Sequence, residues 1–187
     1  MEPSPDPAVA PSARSRLADG LTVWLTGLPS AGKTTIADAL ARRLLAEGYP
    51  VEVLDGDVLR ELLGRDLGFC RADRDENVRR VGFVANLLSR HGVVAVCALV
   101  SPYRATRDEV RALHGPRFFE VHVAAPWEVC VHRDVKGLYV RQRAGEITAL
   151  TGVDDPYEAP LHPELVVPTH QQTVEESVEA VWAALPR

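Results

Sequence analysis

The sequence predicts an α/β domain in which a mostly parallel sheet is sandwiched between two helical layers. Three observations lead there. Short apolar, β-prone runs alternate with stretches whose apolar residues recur at helical spacing, the pattern of right-handed βαβ units. The run VVAVCALV at 93–100 contains no polar residue, as a central strand covered on both faces requires. Polar, glycine-containing segments follow several strands directly, and in open parallel sheets ligands gather beyond the carboxyl ends of the strands.

Residues 1–19 begin MEPSPDPAVAPSARSR, with four prolines, no apolar h-region and no basic n-region. They are expected to form a disordered tail rather than a targeting segment. The domain proper spans 20–187. Its first strand is Leu21–Thr26 (LTVWLT). A glycine-containing loop leads into a helix over Lys33–Ala46, where Ile36, Ala39, Leu40 and Leu44 share a face and Gly48 supplies the stop. A second strand over 51–54 ends in Asp55-Gly56-Asp57, with a helix starting near Val58. A long helix follows over 73–90, with Val78, Val81, Val84, Ala85 and Leu88 along one face. After the 93–100 strand come strands at 118–123 and 165–167 and helices at 126–135 and 173–185. No internal repeat and no linker marks a second domain, which suits a chain of 187 residues.

Composition excludes several classes of function. Hydrophobic residues make up 46% and charged residues 25%, an ordinary globular balance. A formal net charge of −5 argues against bulk nucleic-acid or membrane binding, both of which favour a basic surface. No apolar stretch approaches the ~20 residues needed to span a bilayer. Cys70, Cys97 and Cys130 lie far apart, without CxxC or Cys/His ligand spacing. Cys97 reads as a small buried hydrophobe, and an odd cysteine count without a signal peptide fits a reducing cytoplasm.

The segment Gly27-Leu28-Pro29-Ser30-Ala31-Gly32-Lys33-Thr34 matches the phosphate-loop pattern G-x4-G-K-[ST] in full, with a strand before it and a helix after. Glycines let backbone N–H groups turn inward around phosphate oxygens, and the helix N-terminus adds a favourable dipole. In that setting Lys33 reaches the β- and γ-phosphates of ATP and the Thr34 hydroxyl ligates Mg²⁺, with Thr35 in a peripheral phosphate contact. The pattern alone does not separate a kinase from a GTPase or a motor. The chain has no guanine-reading N-K-x-D motif, and its size suits one acceptor site, so a small-molecule kinase is the economical reading.

Asp55 and Asp57 stand two apart in an extended segment, which turns both carboxylates to one side, toward the phosphate site. A carboxylate there can position an acceptor hydroxyl, hold a metal or accept a proton. The alternative is that one of them caps the following helix. Downstream lie Arg60, Arg65, Arg71, Arg74, Asn77, Arg79 and Arg80, part of which is an ordinary solvated face. Arg74 and Asn77, at i and i+3, can grip one ligand together, and arginine's planar fork suits phosphate or sulfate oxygens.

The blocks GLPSAGKTTIA, LDGD, RDLGFCRADRDENVRRVG, SPYRATRDEVR, KGLYVRQRAGEI and TGVDDPYEAP, in that order, closely resemble adenylylsulfate kinases (APS kinases). The resemblance runs from about Gly20 to the C-terminus. It implies a P-loop fold, a homodimer and a mobile lid, here about 136–155. It also implies transfer of the γ-phosphoryl group of Mg·ATP to the 3′-hydroxyl of adenosine 5′-phosphosulfate (APS), giving PAPS and ADP. By position, the resemblance puts Lys33, Asp57, Ser101 and Lys136 at the chemistry, with Thr34 and Asp57 at the metal. Asp55, Arg60, Arg74 and Asn77 would bind the acceptor, and Phe69 would lie against its adenine. Val100, Ser101, Leu138, Leu150 and Thr151 would line the same pocket, and Gly137 would give the lid hinge freedom. Ser101 is a phosphoserine intermediate in some members. Direct in-line transfer needs no such intermediate, so Ser101 is read here as a pocket or hydrogen-bond residue. Arg141 and Arg143 either add charge when the lid closes or belong to its solvated surface. Association with a sulfate adenylyltransferase is a further implication.

Five residues in four segments depart from that family's pattern. Val58 replaces an asparagine, Leu150 replaces an aromatic residue, Ala124-Ala125-Pro126 replaces D-T-P, and Asp134-Val135-Lys136-Gly137 replaces D-P-K-G. At 150 a leucine keeps apolar contact with an adenine but loses stacking. Lys33, Thr34, Asp57, Arg74 and Asn77 are all present, so phosphoryl transfer is expected to survive, with acceptor identity the open point. Two alternatives stand beside it: a kinase of this family with a changed acceptor, and a non-catalytic nucleotide-binding subunit of a sulfate-activation complex.

Overall fold

The computed structural model describes residues 17 and 19–186. Five strands, β1 (Leu21–Thr26), β2 (Val51–Asp55), β3 (Val94–Ala98), β4 (Phe118–Ala124) and β5 (Leu165–Pro168), form one sheet of order β2-β3-β1-β4-β5, parallel throughout. The register pairs Leu25 with Ala98 and Ala98 with Asp55. The segments that follow β1, β2 and β3 therefore leave the sheet at one height, which brings the phosphate loop and the acidic motif to the same edge.

Period-2 alternation assigns each strand residue to a layer. On β1, Val23 and Leu25 join one core and Trp24 the other; on β3, Val94, Val96 and Ala98 oppose Ala95 and Cys97. Helices α1 (Lys33–Ala46) and α7 (Val174–Ala184) cover the first face. The second is covered by α3 (Arg71–Arg90) and α4 (Arg104–His114). Cys97 is fully buried in that second core, where desolvation pushes its thiol well above the usual range and leaves it a neutral hydrophobe.

The three-layer parallel architecture agrees with the sequence, and several bounds are adjusted. The all-apolar run at 93–100 contributes only Val94–Ala98 to β3. Helix α2 (Gly56–Leu63) begins directly after Asp55, and α3 begins at Arg71, two residues early. The helix expected over 126–135 is α5 (Trp127–Arg133). Helices α4 and α6 (Leu138–Arg143) were not anticipated. The buried face of α4 carries Thr106, Arg107, Val110 and His114, so a search for apolar periodicity passes over it. Leu17, assigned to the tail, is 1% exposed within the first core, and its carbonyl accepts from Gly20 N at 3.2 Å. The folded unit thus reaches back past residue 20; apart from Leu17 and Asp19, the expected tail lies outside the described residues. No helix among the described residues is long and apolar enough to cross a membrane.

Candidate active site

The loop after β1 is shaped by close backbone approach. A Cβ on Gly27 would stand 2.4 Å from the Val123 carbonyl oxygen, and Gly32, the N-cap of α1, has φ +106°. Lys33 is largely buried and curls back onto the loop, donating to the carbonyls of Gly27 (3.0 Å) and Leu28 (2.7 Å). Burial lowers its pKa to about 8, with Lys136, Asp57 and Asp55 near enough to act on it as well. The contacts join the same groups: Thr34, next to Lys33, bonds Asp55, and Asp57, two residues on, pairs with Lys136.

Asp55 settles the choice between capping and the phosphate site by doing both. One oxygen accepts from the backbone N–H groups of Asp57 (2.9 Å) and Val58 (3.4 Å), closing the first turn of α2; the other accepts the Thr34 hydroxyl at 2.9 Å. From sequence, the metal residues are Thr34 and Asp57. The carboxylate touching Thr34 is instead Asp55, because capping turns its second oxygen toward the loop. Asp57, in the first turn of α2, is exposed and ion-paired with Lys136 from the lid. Thr34, Asp55 and Asp57 are hard oxygen donors, and Mg²⁺ is ordinarily held by one or two such groups together with water and substrate phosphates. Among the described residues no cluster of three or more His, Cys, Asp or Glu could enclose a metal unaided. The donor set fits a magnesium site that the nucleotide completes.

On the acceptor side, the Phe69 ring is 57% exposed, with the guanidinium of Arg60 4.3 Å and that of Arg74 5.6 Å from its centre. Partial burial, then the neighbouring Arg74, holds the Arg60 pKa below its usual value, the electrostatics of a cluster suited to an anion. Arg74 donates to the Phe69 carbonyl (2.9 Å) and to that of Ala149, and faces Asp155 at 3.5 Å. Asn77, one turn further along α3, is buried against Gly64. Asp73 accepts from Gly68 N (3.0 Å) and the Cys70 thiol (3.1 Å), fixing the loop that carries Phe69.

Val100 and Ser101 lie at the same edge. The Val100 carbonyl accepts from the Thr26 hydroxyl (2.8 Å). Ser101, 3% exposed with φ +40°, donates to Thr26 Oγ1 (2.9 Å) and accepts from Trp24 Nε1 (3.1 Å). Both functions of its hydroxyl are engaged, which is the geometry of a positioning hydrogen bond and not of an accessible nucleophile.

The segment expected to form a lid packs on the phosphate loop in this structure. Asp134 caps α6 through Tyr139 N (3.1 Å) and Val140 N (2.9 Å), and Gly137 takes the left-handed conformation at its N-cap. The Tyr139 hydroxyl donates to the Pro29 carbonyl (3.1 Å), and a Cβ on Gly152 would meet Leu28 at 2.7 Å. Leu138 packs at the core margin; Leu150 is 7% exposed and belongs to the first core. Thr151 is buried beside it. Arg141 and Arg143 are exposed in this structure, and Arg141 pairs with Glu146. Of the departures from the family pattern, Val58 and Val135 are exposed and Ala125 lies at the core margin.

Two residues absent from the sequence reading buttress the loop. Arg133 donates to the carbonyls of Ala31 (3.3 Å) and Thr169 (2.7 Å), and the Thr169 hydroxyl donates to Ala31 (2.8 Å). With Thr35, Ile36, Gln172 and Val174 they line a cleft of about 170 Å³ beside the loop. Thr169 follows β5 directly, so the rule that placed the other motifs at strand ends would have found it.

Known proteins resemble this chain over most of its length. The family model described as adenylylsulphate kinase matches residues 19–168. The adenylyl-sulfate kinase of Microcystis aeruginosa is 58% identical over 166 residues, covering 89% of this chain and 91% of that protein. That of Chloroflexus aurantiacus is 54% identical over 177 residues, 95% of this chain and 92% of that protein. Among solved structures, the Mycobacterium tuberculosis APS kinase CysC in complex with AMPPNP and APS superposes with a TM-score of 0.83 at 43% identity, covering 88% of this chain and 96% of that one. With the family model matched over residues 19–168 and relatives more than half identical over most of their length, the chain belongs to the adenylylsulphate kinase family.

Proposed function

We propose that the chain transfers the γ-phosphoryl group of ATP to the 3′-hydroxyl of APS, yielding PAPS and ADP. The observation that carries this reading is the shared space of Lys33, Thr34–Asp55 and Asp57–Lys136, opening beside the Arg60–Phe69–Arg74 cluster. Lys33 exchanges its loop carbonyls for phosphate oxygens. Asp57, exposed at a helix start, orients the acceptor hydroxyl and takes its proton, and Lys136 adds charge as the lid closes. Arg60 and Arg74 hold the phosphosulfate, Phe69 stacks on the adenine, and Asn77 closes the pocket floor. The cleft lined by Arg133 and Thr169 takes the base of ATP. Bound magnesium would neutralise charge on the transferring phosphates, with Thr34 and Asp55 as its protein-side oxygens and Asp57 beside them. The active unit is proposed to be a homodimer in the cytoplasm; a hexameric APS kinase from Thiobacillus denitrificans, 37% identical with a TM-score of 0.69, is a longer chain of which this one covers 29%.

An assay coupling ADP release to APS addition tests the reaction. Turnover that needs both ATP and APS, and is lost in Lys33→Ala, is the expected result. ATP binding without transfer to APS would leave a regulatory subunit or a changed acceptor. Leu150 favours the second of these, since its burial leaves Phe69 as the one aromatic face identified for an acceptor base.

A further inference from the structure

Arg107 on α4 is 1% exposed and has no part in the chemistry above. Its guanidinium serves three separate segments. Nε donates to Glu120 on β4 (2.9 Å), Nη1 to the carbonyl of Ser101 after β3 (2.6 Å), and Nη2 to the carbonyl of Glu158 just beyond the lid (2.6 Å). The second oxygen of Glu120 accepts from Arg111 at 3.1 Å. The segment leaving the lid is stitched at further points. Glu158 N donates to Pro102 (2.8 Å), its carboxylate accepts from Arg104 N (2.9 Å), and the Arg104 guanidinium reaches Ala159. Tyr157 donates to Thr26, the residue before the phosphate loop, at 3.1 Å, and its ring stacks on His122.

A buried arginine–glutamate pair contributes little net stability, because desolvation offsets its attraction, and apolar residues of similar volume often do as well. What an apolar filler cannot do is hold three acceptors in one plane at set spacing. The two ends of the lid also differ. Its leading end is tied by the exposed Asp57–Lys136 pair and by one buried hydrogen bond, Tyr139 to Pro29, while its trailing end runs into a joint of several buried bonds.

We propose that Arg107, assisted by Tyr157, is a positioning residue that anchors the trailing end of the lid to the wall holding Ser101 and Thr26. The lid then opens from its Lys136 end and returns in one register over the acceptor. Arg107 acts through Ser101, Thr26 and Glu158. For its effect on acceptor binding the inference rests on the reaction proposed above, and one arm of its test does not.

In that arm the nucleotide-free full chain is digested with subtilisin and mapped by mass spectrometry. Wild type should be cut within 136–146 and spared within 149–160. In Arg107→Lys and Tyr157→Phe, cleavage within 149–160 should quicken about fivefold, following the population of the opened segment. Unchanged maps for both variants overturn the proposal. In the second arm, Arg107→Lys should raise the KM for APS about tenfold while kcat and the KM for ATP change less than about threefold. Equal losses for both substrates point to general damage and overturn it. If Arg107→Lys does not fold, Tyr157→Phe, which removes one hydroxyl, carries both arms. A wild type that transfers nothing to APS sinks the proposed reaction, and digestion still decides the role of Arg107.

Discussion

The donor and acceptor halves of the site are built in opposite ways. Around the phosphate loop nearly everything is enclosed and bonded: Ala31 is fully buried and held by Arg133 and Thr169, Pro29 by Tyr139, and Lys33 by the loop itself. Across the cleft, Phe69 is 57% exposed, and the Asp57 and Lys136 side chains are 67% and 53% exposed. One half is a backbone cradle formed before any ligand arrives. The other is assembled from long side chains that lose rotamer freedom on binding. Donor recognition should therefore tolerate few changes, whereas acceptor recognition can drift with single side chains.

The largest expected contrast comes from removing charge at the centre. Lys33→Ala and Asp57→Ala should each lower kcat on the order of a thousandfold, read in the coupled assay. Comparable turnover in either would break the idea of a joint centre. Gly27→Ala should come next, destabilising by about 1–3 kcal/mol through overpacking against the Val123 carbonyl. Thermal unfolding and ATP titration should both register it. Phe69→Ala should leave the melting temperature unchanged, since the ring is exposed, and raise the acceptor KM about tenfold, in line with stacking worth about 1–3 kcal/mol.

Leu150→Phe sharpens the comparison differently. Judged from sequence alone, a restored ring at 150 would improve adenine stacking. Because Leu150 is packed in the core, the added ring should instead cost about 1–3 kcal/mol, detectable by denaturant titration. A stable variant with a lower KM for APS would show that the lid can turn this residue outward. The smallest effect is one of pH. The folded pKa of Lys33 is about 8 against 10.5 for the free side chain, so charging it opposes folding below pH 8. That opposition fades as pH rises from 8 to 10.5, and stability from this group increases across the window. ATP affinity of the free enzyme should fall over the same range as the ammonium is lost, which calorimetry can follow.

Much of this was legible in the chain itself. The strands announced themselves because their burial is apolar, and the phosphate loop because glycines and a lysine at fixed spacing leave little alternative. The sequence leaves Asp55 open between capping and the phosphate site, since both follow from a carboxylate at a strand end, and in the fold one side chain caps α2 and bonds Thr34. Helix α4 escaped because its inner face is polar, and Arg107 because it pairs with residues 13 and 51 positions away. The burial of Leu150 depends on where the lid rests, which local pattern does not encode.

The shared carboxylate of Asp55 links the phosphate loop to the helix that carries Asp57 and Arg60. Whatever binds at Thr34 also pulls on the oxygens that close the first turn of α2, and that turn presents Asp57 and, further along, Arg60. Arrival of the donor should therefore be felt by the platform the acceptor meets, so that binding one nucleotide changes the affinity for the other.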